Sequence, residues 1–451
     1  MSILIYTATL ICATFFSAVS ASQAEGLTYR DAIGETLAHS ARIRVKVTDI
    51  HISDATYRQN FAGLYPEVSV NSRFERQENL DPSSQTVDVI SGEVIGGASG
   101  WRSNLYLWGQ YYLSHWYKKR YEAYYYEKLR DVRNYECDTE VKKLLRELTD
   151  LYGAVAEGQI KLKYAARILS RLNEVFRLKG EAFAKGQLAY EDVLKAGADV
   201  ASLEKETAVI LKETQENIQR LNSYVGRGAD KDLEVEAFSV EKENNMEGLA
   251  GLVEKTPEYK ARVNELEAAV YKRMQASNNL LPDVSLYGRY DYYGSSPNSL
   301  DNAMRNTREA SYSAGVLINL PIFDGGVRYW ERKKNILETV RQEQSIKAVR
   351  EEKSREIGSL HAGFTELARS LKHYGKLSDQ YTKMLEIARK ARGLGERSLI
   401  DIMEVEKDAL IVERDFRVTE HTMATYEKRL RLEVDYDDFI KEYYGDRACK
   451  Y

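Results

Sequence analysis

The stretch NNLLPDVSLYGRYDYYG, Asn278 to Gly294, decides how this chain is read, because long, charged helical patterns flank it on both sides. Its tyrosines alternate with small and polar residues after Pro282, a residue that cannot continue a helix. The stretch FAGLYPEVSVNSRFERQ, Phe61 to Gln77, does the same thing 216 residues earlier. Leu64, Pro66, Val68, Ser69 and Arg73 fall opposite Leu280, Pro282, Val284, Ser285 and Arg289. A duplication of this length points to one structure built from two similar halves.

Working outward, a helical pattern leads into each strand. It runs from Leu27 through Ala32, Leu37, Ile43, Val47 and Ile50 to about Phe61, and from Leu249 through Val263, Leu266 and Val270 to about Asn279. A polar loop follows each strand, and then a second strand: SNLYLWGQYYL, Ser103 to Leu113, and SYSAGVLINLPIF, Ser311 to Phe323. In the latter Tyr312, Ala314, Val316, Ile318 and Leu320 alternate with Ser311, Ser313, Gly315, Leu317 and Asn319, giving one apolar and one mostly polar face.

Each second strand is followed by a helix of unusual length. Of the six prolines, none lies between Pro82 and Pro257 and none follows Pro321, so two long stretches are free to be helical. One carries the seam Val141, Leu145, Leu148, Tyr152, Val155, Ala165, Ile168, Leu172, Val175. The other carries Ile357, Leu360, Phe364, Leu367, Leu371, Tyr374, Tyr381, Met384, Ala388, with the three-four spacing of a coiled coil. Some 65 residues at ~1.5 Å each make a rod of roughly 100 Å, which no globular core requires.

Each rod ends in a glycine turn and folds back: KGQLAYEDVLKA, Lys185 to Ala196, and LGERSLIDIMEV, Leu394 to Val405. Gly186 matches Gly395, Ala189 matches Ser398 and Asp192 matches Asp401, all at an offset of 209. Ser398 with Asp401 reads by itself as a helix N-cap with an acid in the first turn. The reading is a mainly α chain with a small β part, in which the order helix, strand, strand, long helix, turn, helix occurs twice. Residues 25–245 form the first repeat, with strands at about 67–77 and 102–114 and a helical hairpin over 118–225. Residues 246–451 form the second, with strands at about 283–293 and 311–323 and a hairpin over 326–435. Four strands per chain cannot satisfy their own edges and must close with something.

Several function classes fall away. A net charge of -4 gives no concentrated basic face for nucleic acid. There is no HExxH, Walker loop or Gly-x-Ser-x-Gly, and GGASG at Gly96 lacks a surrounding strand-to-helix unit, so no enzyme activity and no cofactor are expected. The six histidines, at 39, 51, 115, 361, 373 and 421, show no paired ligand spacing and read as surface or seam residues. The opening MSILIYTATLICATFFSAVSASQA reads as a signal peptide over residues 1–24, cleaved after Ala21 or Ala24, and Thr9-Leu10-Ile11 before Cys12 is a poor lipoprotein box. Cys137 and Cys449 are far apart on different elements, so neither a disulfide framework nor a metal site is expected.

With the two Pro-led strands at Pro66 and Pro282, the LPIFDGG turn from Leu320 to Gly326, and the paired Gly-x-x-[Ser/Ala]-x-x-Asp turns at Gly186 and Gly395, the sequence resembles the TolC-like outer-membrane efflux proteins. The resemblance covers about Leu27 to Lys428 and rests on the order and duplication of these features. It implies a homotrimer whose chains pool strands into one 12-stranded outer-membrane β-barrel, and whose helices form a periplasmic α-barrel tunnel with a closable tip. Tyr290, Tyr292, Tyr293, Tyr106, Trp108, Tyr111 and Tyr112 then suit strands facing outer-membrane lipid with aromatic residues at the interfaces.

The resemblance further implies that Arg397 ties neighbouring tip helices together, with Glu191 and Asp192 as partners. Asp401 and Glu404 fall where the family places acidic rings at the narrowest aperture, an arrangement that favours cations. The turns with Gly186, Leu188, Gly395 and Ser398 would dock a periplasmic adaptor. Where the family has a gate-linking tyrosine, three residues before the second glycine, this chain has Arg392. The function implied is an export duct coupled to an inner-membrane transporter through the adaptor, for type I protein secretion or efflux. A periplasmic coiled-coil adaptor or scaffold outside the membrane is the alternative.

Overall fold

The computed structural model of the protein describes residues 25–78, 86–87, 94–95, 100–240, 252–445 and 449. The expected signal sequence and most of the GGASG stretch lie outside them. In chain order the first half holds β1 (Glu25–Leu27), α1 (Tyr29–His39), α2 (Ala41–Ala62), β2 (Glu67–Gln77), β3 (Thr86–Val87), β4 (Val94–Ile95), β5 (Gly100–Tyr112), α3 (Lys119–Ala184), α4 (Tyr190–Val225) and β6 (Leu233–Val235). The second holds α5 (Pro257–Asn278), β7 (Asp283–Ser296), α6 (Leu300–Arg305), β8 (Glu309–Asn319), α7 (Val327–Gly393), α8 (Leu399–Val434) and α9 (Tyr436–Tyr443). No described helix is long and apolar enough to cross a membrane.

The chain forms two compact units, and each draws on both sequence halves. One comprises Asp49–Arg133 and Ala261–Ile346 and contains an antiparallel sheet in the order β2-β5-β7-β8. Pro66 and Pro282 stand immediately before β2 and β7, where a missing N–H costs no ladder bond. β8 ends at Asn319, short of the Phe323 that alternation alone reaches, because Pro321 cannot donate to a ladder and the turn at Gly325 and Gly326 follows.

The other unit comprises Met1–Thr48, Asn134–Lys260 and Lys347–Tyr451. The seam of α3 is its core: Val141, Leu145, Leu148, Tyr152, Val155, Ala165, Ile168, Leu172 and Val175 are all buried. The seam of α7 is buried at Ile357, Leu360 and Ala388, whereas Met384 is exposed. Tyr152 donates to Leu27 O at 2.8 Å and accepts from Glu236 N, so it binds the parallel β1–β6 pair to α3. His421 is a buried seam histidine: its Nδ1 accepts from Phe238 N at 3.0 Å, which leaves Nε2 to donate to Gly153 O at 2.9 Å. Burial holds its pKa below the usual histidine value, matching that neutral tautomer.

Two features of this unit correct or extend the sequence reading. Cys137 and Cys449 are joined by a disulfide across a sequence separation of 312, with Cα atoms 6.1 Å apart. Separation along the chain says nothing about separation in space, and α9 folds back onto α1 and α8 to bring the tail home. A buried ion network also lies among these helices. Lys142 of α3 meets Glu258 of α5 at 2.9 Å and Glu433 of α8 at 2.7 Å. Lys353 of α7 meets Glu258 at 2.8 Å and Glu356 at 2.9 Å, while Arg146 bonds Glu433 and Glu356. Although burial opposes its ionised form, Lys142 and Lys353 hold the Glu258 carboxyl down to about 2.

Candidate functional site: the paired turns and the sheet

The two glycine turns have the same backbone construction. Gly186 and Gly395 take φ of 70° and 78°, the left-handed region that glycine enters without strain. In the first, Gln187 N donates to Ala182 O and Gly186 N to Phe183 O; in the second, Glu396 N donates to Ala391 O and Gly395 N to Arg392 O. Each is a Schellman motif that satisfies the last carbonyls of a very long helix. The returning helices start differently. Ser398 and Asp401 form a reciprocal capping box, Ser398 Oγ accepting from Asp401 N and the Asp401 carboxylate from Ser398 N, both at 3.1 Å. Ala189, at the matching place, offers no side-chain cap.

Behind the second turn, α8 is pinned by charge. Glu404 pairs with Lys179 of α3 at 2.7 Å, and Glu406 pairs with Arg389 of α7 at 2.8 Å and Arg171 of α3 at 3.2 Å. A cavity of about 630 Å³ lies beside these pairs, lined by Arg167, Arg171, Tyr381, Arg389, Glu406 and Glu413 among others.

The sheet is inverted relative to one that packs on a soluble core. Register places Val70, Leu107, Tyr290 and Tyr312 in one row, Val68, Gly109, Gly288 and Ala314 in the next, then Leu286 with Val316 and Val284 with Ile318. This apolar face is the exposed one: Val70 is 70% exposed and Ile318 66%. The opposite face carries the polar groups, and Ser285 and Asp291 on it are only 2% and 7% exposed. There Arg289 bonds Asp291 at 2.6 Å, Asn104 donates to Asp291 at 3.2 Å and Gln110 to Ser285 at 3.1 Å. Among the described residues β2 pairs only with β5 and β8 only with β7, so each leaves an open edge.

The profile of the outer membrane efflux protein family matches residues 252–431. Residues 252–431, less than half of the chain, thus resemble an outer membrane efflux protein. The chain's fold is similar to that of the outer membrane protein VceC from Vibrio cholerae, at 18% identity and a TM-score of 0.74, over 91% of this chain and 96% of that one. The CmeC outer membrane channel of Campylobacter jejuni aligns at 16% identity and a TM-score of 0.73, over 92% and 89% of the two chains. The open state of the MtrE outer membrane channel of Neisseria gonorrhoeae gives 17% and 0.67, over 90% and 88%. No curated protein matches the sequence.

On this fold the anticipated residues divide. Ser398 and Asp401 are brought together, as a cap. Glu404 is drawn to Lys179, a partner on another helix that no local pattern marks. Arg397 and Glu191 are exposed and Asp192 and Leu188 partly so, and no bond joins Arg397 to Glu191 or Asp192 within the described chain. The aromatic flank also needs correction. Tyr111, Tyr290 and Tyr292 share the apolar face, but Tyr106, Trp108, Tyr112 and Tyr293 lie on the polar one. Trp108 stacks on Tyr287 with centroids 5.4 Å apart, and Tyr106 lies under the Arg289 guanidinium at 4.2 Å. Strand parity sets the face, and residue type does not override it.

Proposed function

We propose that three copies assemble into an outer-membrane duct, with a shared β-barrel in the membrane and helices lining a periplasmic tunnel. The duct is passive and releases cargo handed on by an inner-membrane transporter through a periplasmic adaptor, in efflux or type I secretion. The inverted, two-edged sheet carries this reading: a four-stranded layer with its aliphatic face outward and its polar face covered only at Ser285 and Asp291 of the inner strand β7 suits lipid outside and water inside, and its edges need neighbours. The open part of the α7 seam supports it, since Met384 calls for cover from a second copy. The turns at Gly186, Leu188, Gly395 and Ser398 are the docking surface for the adaptor, with Arg397, Glu191 and Asp192 as the closing contacts.

Fractionation tests the reading. The protein should enter the outer-membrane fraction, migrate as a heat-modifiable trimer and conduct in planar bilayers. Release into the periplasmic wash as a monomer would instead favour a scaffold that never enters the membrane.

A further inference from the structure

A cavity of about 320 Å³ lies at the foot of β2, lined by Phe61, Leu64, Pro66, Tyr111, Trp116 and Tyr124 among others. Its walls are apolar and aromatic, and Tyr111 belongs to the apolar face of the sheet. At the other edge, just beyond β8, Ile322 and Phe323 are 94% and 88% exposed, an unusual cost for two large apolar side chains. β2 and β8 are each 11 residues long, and the alternation along the sheet requires them to run antiparallel wherever two copies meet edge to edge.

Pairing the two strands end to end sets Glu67 of one copy opposite Asn319 of the next. The faces then match without adjustment: Val68 meets Ile318, Val70 meets Val316 and Phe74 meets Tyr312, all apolar partners on the outward face. Just past the strand ends, this register brings the segment Leu320–Phe323 to the turn between α2 and β2, where Leu64 lines the cavity. We propose that Ile322 of one copy seats in the Phe61–Leu64–Tyr124 cavity of its neighbour, so that the segment Leu320–Phe323 latches adjacent copies at the foot of the barrel. This rests on the trimeric reading and adds to it a defined register and a defined seat.

The test uses the full chain in two co-expressed forms, one Leu64→Cys and the other Ile322→Cys, with Tyr65→Cys replacing Leu64→Cys should the buried substitution impair folding. Cys137 and Cys449 are already bonded to each other and do not compete. Mild oxidation should give a covalent dimer only when both forms are present in the same membranes. If heat-modifiable trimers form without cross-links, and a thiol probe on Ile322→Cys is quenched by brominated acyl chains, lipid occupies the cavity and the latch is overturned while the trimer stands. Absence of any trimer would overturn the assembly itself.

Discussion

At the scale of single residues, parity along β8 makes opposite predictions for neighbours in sequence. Ile318 stands on the outward apolar face and Asn319 on the other, beside Asp283. Ile318→Arg would place a cation against lipid near the foot of the strand, at a fraction of the roughly 2 to 4 kcal/mol it would cost at the midplane, and the yield of heat-modifiable trimers should fall measurably. Asn319→Arg adds its cation on the polar face, opposite an Asp283 that Lys118 already pairs at 2.6 Å, and should assemble better than Ile318→Arg; equal yields from the two variants would refute the assigned faces. The disulfide gives a second prediction. It closes a loop of 312 residues and fastens the tail after α9 to α3, so Cys137→Ser should lower stability by about 2 to 5 kcal/mol. A reductant should lower the melting temperature of the native chain toward that of Cys137→Ser and leave the variant unmoved.

At the scale of elements, the ion network binds α3, α5, α7 and α8 and predicts an acid limb of stability. The Glu258 carboxyl titrates at about 2 in the folded chain against its ordinary 4.5. The group therefore binds its proton less readily when folded, and its contribution is complete above pH 4.5 and lost as pH falls toward 2. Glu258→Gln should cost about 3 kcal/mol at neutral pH, since it leaves Lys142 and Lys353 short of a partner in a buried site. Its denaturant midpoint should then depend less on pH between 4.5 and 2 than the native chain's; parallel profiles would show that Glu258 is not the group responsible. This network also marks what could be read beforehand. Helices and strands were legible because periods of 3.6 and 2 leave regular apolar marks, and the prolines and glycines punctuate them. Lys142 and Glu433 carry no such mark, since a charge on a long helix looks the same in sequence whether it faces water or another helix. The Cys137–Cys449 bond was hidden for a similar reason: it depends on a tertiary path that no local pattern records. Ser398 with Asp401 was legible as a cap because that interaction is local.

At the scale of the whole molecule, the question is what the tip does in the proposed duct. Arg397 sits between the Gly395 turn and the Ser398 cap, exposed, with both neighbours held rigidly by backbone hydrogen bonds and the capping box. A rigid turn presenting a free guanidinium is suited to a contact outside its own chain, and Glu191 and Asp192 of an adjacent first turn offer charge-assisted partners. If that contact exists only in the closed tip, Arg397→Ala shifts the equilibrium toward open. At about 1 kcal/mol for each solvent-accessible pair, three symmetric copies lose roughly 3 kcal/mol, and single-channel conductance in planar bilayers should rise. Ser398→Ala separates this from mere support of the turn: losing the cap costs about 1 kcal/mol of stability, without the same gain in conductance. The Lys179–Glu404 pair sharpens the electrostatic side of the argument, because a carboxylate already neutralised within its chain adds little to a negative aperture. Lys179→Gln should free Glu404 and strengthen cation preference, and Glu404→Gln placed on that background should reverse the gain. An Arg397→Ala trimer that folds normally and conducts as the native one does would remove Arg397 from the gate and leave this turn with the cap alone.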